Sequence, residues 1–193
     1  LIAAEKMSAF VDYSDRNTCI LFGDGASAAV ITSKGAGFQI EQVTLGSDGS
    51  QEELMIIPGG GARFPASIET IAQRLHYWKM NGRELFKHAV RRMSAAAREC
   101  LDLAGIKDEQ IKWMVPHQAN FRIIEPVAKN FGIPMDHVKL TLQKYGNSSA
   151  PSVAIAFQEL AEEASIEAGE CLLLVVFGAG LTWGAAALRK VEG

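Results

Sequence analysis

A chain of 193 residues is long enough for one substantial core. With 48% hydrophobic and 21% charged residues it has an ordinary globular balance, and a net charge of −3 gives no global basic field for nucleic acid or an anionic membrane. The longest apolar run, Cys171 to Phe177, is strand-sized and too short to span a bilayer.

Thr18 to Phe22 reads as a short strand. Gly23-Asp24-Gly25 reads as a turn and Ala26 to Thr32 as a returning strand, together a hairpin. Gly35 to Leu45 is a further strand, and Ser47 to Pro65, with Pro58-Gly59-Gly60-Gly61, is loop. That loop is not a phosphate loop, because no Lys-Ser/Thr follows it. Arg83 to Ala104 carries apolar residues at helical spacing, from Leu85 and Phe86 to Leu101 and Ala104, and Gly105 stops the helix. Ile111 to Val115 is a strand and Ala119 to Phe131 a helix, in which Pro126 predicts a kink or a late start. Val138 to Leu142 is a strand, and Ser149 to Ala164 a helix with Pro151 near its first turn. Cys171 to Phe177 and Thr182 to Leu188 form a closing hairpin around Gly178-Ala179-Gly180.

Both hairpins read Phe-Gly-x-Gly, at Phe22 to Gly25 and Phe177 to Gly180, and an alanine-rich strand follows each. The repetition predicts a duplicated α/β fold in which each half ends in such a hairpin. Residues 1–37 would then be the end of a first half, and 38–193 a complete second half. No secretory signal is read at the N-terminus. The chain opens inside an apolar stretch, Leu1-Ile2-Ala3-Ala4, so an upstream segment is expected. Cys19, Cys100 and Cys171 are far apart and form neither a CxxC pair nor a metal-ligand set with histidine, which predicts a reduced, cytosol-like compartment. Cys19 and Cys171 fall in predicted strands and Cys100 on the apolar stripe of a helix.

His117 follows the strand ending in Val115 and precedes the helix that Asn120 can cap. The positive end of that helix would keep the imidazole neutral and able to donate to a carbonyl. A loop histidine with a local hydrogen bond is the plainer alternative. Asn147, in Tyr145-Gly146-Asn147-Ser148-Ser149, also lies between a strand and a helix start. It either caps that helix or, with Ser148 and Ser149 capping instead, is free to point its amide elsewhere. Two donors at the ends of two strands can converge on one oxygen, as stabilising an enolate or oxyanion requires. The small residues of the closing turn let backbone N–H groups approach a ligand, although a plain tight hairpin reads equally well. His76, His88 and His137 read as solvated or structural.

The segments MNGRELFKHAV (80–90), VPHQANFRIIEPVAK (115–129), YGNSSAPS (145–152) and FGAGLTWG (177–184) together resemble β-ketoacyl-acyl-carrier-protein synthase III, and the likeness runs through nearly the whole chain. The resemblance implies the duplicated thiolase fold and a decarboxylating condensation. A cysteine takes an acyl group from acyl-CoA, malonyl-acyl-carrier protein loses carbon dioxide, and the carbanion attacks the acyl-cysteine. It implies that His117 and Asn147 hold the malonyl thioester carbonyl and that the Ala179 N–H belongs to an oxyanion hole. Phe86, Ala119 and Asn120 would line the pantetheine route, and Arg122, with Lys129, would meet the acidic carrier protein. The implied nucleophile is a cysteine upstream of Leu1, which none of the three cysteines matches. Coenzyme A and phosphopantetheine enter as substrates, with no metal and no further cofactor. The implied partners are carrier protein, acyl-CoA, an N-terminal half and a second copy in a homodimer, with no nucleic acid and no membrane. The implied compartment is the cytoplasm or a plastid stroma. Malonyl-thioester decarboxylation without condensation, a carrier-protein-binding remnant, and a related acyl transfer remain as alternatives.

Overall fold

The computed structural model describes residues 1–192. In chain order it places β1 (Ile2–Lys6), β2 (Asp24–Ala28), β3 (Gly37–Ser47), β4 (Met55–Ile56), α1 (Ile68–Ala72), β5 (Lys79–Met80) and α2 (Gly82–Ala104). Then follow β6 (Ile111–Pro116), α3 (Phe121–Asn130), α4 (Leu142–Tyr145), α5 (Pro151–Glu163), β7 (Cys171–Gly178) and β8 (Thr182–Val191). The central sheet has the order β3-β8-β7-β6. β6 runs parallel to β7, and the other neighbours are antiparallel.

α2 forms where the apolar spacing predicts. Asn81 Oδ1 accepts the Glu84 N–H at its start, and Gly105, at φ 66°, ends it in the left-handed conformation that glycine adopts without strain. Its buried stripe includes Leu85, Ala89, Met93, Ala97, Cys100 and Leu101. That stripe meets Ile124, Val127 and Ala128 of α3 over one face of the sheet. On the opposite face Ala156 and Leu160 of α5 pack against Val115, Leu172 and Leu188. α5 in turn touches the β1–β2 ribbon, so the layers run helices, sheet, helix, ribbon. The closing hairpin is as expected, with Leu172 opposite Leu188 and Phe177 opposite Trp183.

The first hairpin is different. Thr18 to Phe22 is not a strand, and the antiparallel partner of β2 is β1, with Ile2 opposite Ala28 and Lys6 opposite Asp24. Asp15 causes this. Its carbonyl accepts the Thr18 and Cys19 N–H groups and its side chain accepts from Asn17, so the segment winds into turns. Cys19 therefore sits half-buried in a turn and not in a strand.

Val138 to Leu142 is also not a strand. One isolated bridge joins Val138 to Met114, after which the chain enters α4. The buried Gln118 Oε1 takes the N–H groups of Thr141 (2.9 Å) and Leu142 (3.1 Å), donors a ladder would have used. α3 begins two residues later than read, at Phe121, and continues through Pro126. The loop after β3 holds a short 3₁₀ segment, Gly49–Leu54, and β4.

Candidate active site

The site forms at the C-terminal ends of the parallel strands β6 and β7, where α/β sheets commonly bind ligands. β6 ends at Pro116, and the His117 N–H donates to Val175 O of β7 (2.8 Å), which ties the root of the imidazole to the sheet edge. His117 Nδ1 lies 2.5 Å from Ser152 Oγ in the first turn of α5, and that oxygen also accepts the Gln118 N–H (3.3 Å). His117 is half-buried and lines a cavity. Desolvation lowers its pKa from 6.5 to about 4, so the imidazole is neutral at physiological pH. Neutrality was expected, but from the end of α3; burial is its cause here.

Asn147 lines the same cavity. Its backbone is held by Leu21 to Gly23: the Asn147 N–H donates to Leu21 O (2.8 Å), and Asn147 O accepts the Gly23 N–H (2.9 Å). Glycine is required at position 23, since a Cβ there would stand 2.0 Å from Tyr145 O. α5 has no side-chain cap, so the serines do not release Asn147 by capping. Instead Asn147 Oδ1 accepts the Ser149 N–H (2.9 Å), which commits the acceptor and leaves Nδ2 as the donor.

The third wall is the turn between β7 and β8, where Gly178 and Ala179 line the cavity and Thr182 Oγ1 donates to Ala179 O (3.1 Å). Asp48 and Leu181 exchange both backbone hydrogen bonds at 2.8 Å. Arg92 of α2 donates to Asp48 Oδ2 (2.9 Å) while its guanidinium lies 4.3 Å above the Trp183 ring.

The cavity holds about 660 Å³. Phe86, Ala119 and Asn120 line it, and Asn120 also caps α3, its Oδ1 accepting the Arg122 N–H (3.0 Å). Much of the remaining wall is apolar, including Met7, Met80, Leu85 and the stacked pair Phe22 and Trp78, whose centroids are 6.1 Å apart. Arg122 and Lys129 stand outside the cavity on the exposed side of α3 and form no ion pair among the described residues. His137 stacks on Trp113 and bonds Lys112 O (2.8 Å), while the His76 ring meets Thr70 Oγ1 (3.1 Å), both structural arrangements. None of the cysteines is in the cavity wall, and burial pushes the Cys100 and Cys171 thiols up, away from nucleophilic thiolate.

Sequence reading did not single out Ser152, Gln118, Arg92 or Asp48. Ser152 is five residues beyond Asn147 inside the YGNSSAPS segment, and only the packing of α5 brings its hydroxyl to His117.

An α/β sheet whose strand ends gather a neutral histidine, an asparagine amide and a glycine-rich turn into one largely apolar cavity has the architecture of a thiolase-like enzyme. Residues 101–190 match the family model for 3-oxoacyl-[acyl-carrier-protein] synthase III C terminal, and residues 1–49 match that for 3-oxoacyl-[acyl-carrier-protein] synthase III. The chain is 55% identical over 194 aligned positions to the β-ketoacyl-[acyl-carrier-protein] synthase III of Chlamydia caviae, covering 100% of this chain and 58% of that protein. It superposes on the 3-oxoacyl-[acyl-carrier-protein] synthase III of Aquifex aeolicus with TM-score 0.84 and 43% identity, over 98% of this chain and 56% of that one. The corresponding values for the Thermus thermophilus enzyme are 0.84, 38%, 100% and 59%. The chain belongs to the β-ketoacyl-[acyl-carrier-protein] synthase III family and has its thiolase-like fold. It spans a little over half the length of these relatives.

Proposed function

We propose that this chain supplies the decarboxylation half of an enzyme that condenses an acyl-CoA starter with malonyl-acyl-carrier protein and so initiates fatty acid synthesis. The observation that carries the reading is the placing of neutral His117 and the Asn147 amide on the wall of one cavity, each with a hydrogen bond that orients it, to Ser152 and Ser149 respectively. Both donate to the malonyl thioester carbonyl oxygen. As the C–C bond to the carboxylate breaks, its electron pair becomes an enolate whose charge rests on that oxygen, and carbon dioxide leaves. Donors that strengthen as charge develops lower the barrier. The Ala179 N–H supports the oxyanion formed when the carbanion attacks the acyl-cysteine, and no metal or further cofactor takes part.

Phe86, Ala119 and Asn120 border the pantetheine arm. Arg122 and Lys129 draw in the acidic carrier protein, a contact that steers encounter and weakens with salt. The nucleophilic cysteine belongs to an N-terminal half (residues 1–37 being the end of that half and 38–193 the second), and the whole protein pairs as a homodimer in the cytoplasm or a plastid stroma. No helix among the described residues is long and apolar enough to cross a membrane.

Because none of the three cysteines lies in the cavity wall, a second reading is that the protein carrying these residues decarboxylates malonyl thioesters without condensing them. One experiment separates the two: carbon dioxide release and β-ketoacyl product are followed together from labelled malonyl-acyl-carrier protein and acyl-CoA. Both products from the full-length protein support condensation, and carbon dioxide alone supports the second reading. Neither product, or products untouched by His117→Ala and Asn147→Ala, would overturn both readings. Loss of one of these donors is expected to lower decarboxylation about 10²- to 10³-fold.

A further inference from the structure

We infer that Ser152 is a positioning residue that sets the tautomer of His117; the inference rests on the reading of His117 as a donor to the thioester carbonyl. A neutral imidazole carries one proton, and only the form protonated at Nε2 can donate into the cavity while Nδ1 faces α5. Ser152 is 2% exposed, and its oxygen accepts the Gln118 N–H. Its own proton needs an acceptor, because a buried hydroxyl left unsatisfied is costly. Among the described residues the acceptor within hydrogen-bond reach is His117 Nδ1, at 2.5 Å.

The chain of donors is therefore directional. The Gln118 N–H donates to Ser152 Oγ, Ser152 Oγ–H donates to His117 Nδ1, and His117 Nε2–H is presented to the ligand. The opposite arrangement, Nδ1–H donating to Ser152 Oγ, would leave the serine proton without a partner and turn Nε2 into an acceptor, which repels a carbonyl oxygen. Gln118 makes the arrangement rigid. Its side chain is fully buried, with Nε2 donating to Pro116 O (2.7 Å) and Lys139 O (3.2 Å) while Oε1 takes the Thr141 and Leu142 N–H groups. The backbone N–H that meets Ser152 is thus fixed from both sides. Pro151 begins α5, with its preset φ, and so places Ser152 in the first turn of that helix.

The test is made on the full-length protein that carries these residues, with two readouts. The ¹⁵N resonances of the His117 ring report the tautomer directly, and labelled carbon dioxide released from malonyl-acyl-carrier protein reports the chemistry. The native protein should show His117 protonated at Nε2. Ser152→Ala should give a mixture of tautomers and lower decarboxylation about tenfold, the factor that one hydrogen bond of ordinary net strength contributes. Ser152→Thr, which keeps the hydroxyl, should restore both. A native ring protonated at Nδ1, or a Ser152→Ala protein with unchanged ring resonances and unchanged rate, would overturn the inference. So would a Ser152→Ala loss that Ser152→Thr does not restore while both variants melt like the native protein. His117→Ala run in parallel separates the two levels. If it abolishes decarboxylation while Ser152→Ala does nothing, only the inference falls. If His117→Ala leaves the rate unchanged, the reading beneath it falls as well.

Discussion

His117 combines a backbone fixed to the sheet edge with a ring whose pKa is lowered to about 4 by desolvation. The unfolded imidazole takes up its proton near pH 6.5 and the folded one only near pH 4. Between these values the unfolded state binds more protons, so stability falls as pH falls through that window. Thermal melts of the native protein and His117→Gln, compared from pH 7 to pH 4, should show a shallower acid loss in the variant. Identical slopes would mean that the imidazole is not desolvated. Asn147 is oriented by an acceptor occupied by the Ser149 N–H, so that the donor is left over. Asn147→Asp puts an acceptor where the ligand needs a donor, and its decarboxylation rate should fall as far as that of Asn147→Ala, although the two side chains are nearly the same size. A rate for Asn147→Asp close to native would remove Nδ2 from the mechanism.

The turn segment Leu21 to Gly23, which is not a strand, places Asn147 through two backbone hydrogen bonds. Gly23→Ala puts a methyl 2.0 Å from the Tyr145 carbonyl oxygen, so the two segments must separate. The expected outcome is a loss of about 1–3 kcal/mol in stability, typical of overpacking, together with slower decarboxylation. Chemical denaturation and the carbon dioxide assay check the two parts, and an unchanged melt would show that the segments yield freely. α4 and α5 are joined by a network around Glu159, which accepts from Lys144 Nζ (2.8 Å) and Tyr145 OH (2.7 Å). Those hydrogen bonds lower the Glu159 pKa to about 2. The stability this carboxylate contributes is present above its unfolded pKa and is lost as pH falls through the acid range toward 2.

Large apolar side chains stand exposed along the β1–β2 ribbon and just beyond it, with Leu1 at 81%, Ile2 at 80% and Val30 at 91%, and on edge strand β3, where Leu45 is 83% exposed. Apolar surface gathered in this way is characteristic of faces that another body covers. Residues 1–193 by themselves are therefore expected to self-associate. Sedimentation velocity over a range of concentrations tests this, and a monomer that melts cooperatively would contradict it. In the full-length protein, Arg122→Ala should slow association with carrier protein and flatten its salt dependence while leaving decarboxylation of a small malonyl thioester unchanged.

The strongly periodic helix from Gly82 to Ala104, the strand leading to His117 and the closing hairpin could all be read from the chain, because each is specified by local spacing and by caps or turns within it; the segments carrying His117 and Asn147 stood out through their likeness to a family. The first hairpin and the strand after Val138 could not. Asp15 in one case and Gln118 in the other capture backbone donors that a ladder would have used, and the partner of β2 lies beyond a turn segment that reads as a strand. The chemical types at the site were legible as residues, but their orientation was not. Which nitrogen of His117 faces the ligand, which end of the Asn147 amide is free, and how the turn carrying Ala179 is held depend on Ser152, Ser149, Asp48 and Arg92. Three of these contacts span gaps of about thirty or more residues, and only tertiary packing closes such distances, because the hydrogen bonds that orient a buried polar group go to whatever the fold brings beside it.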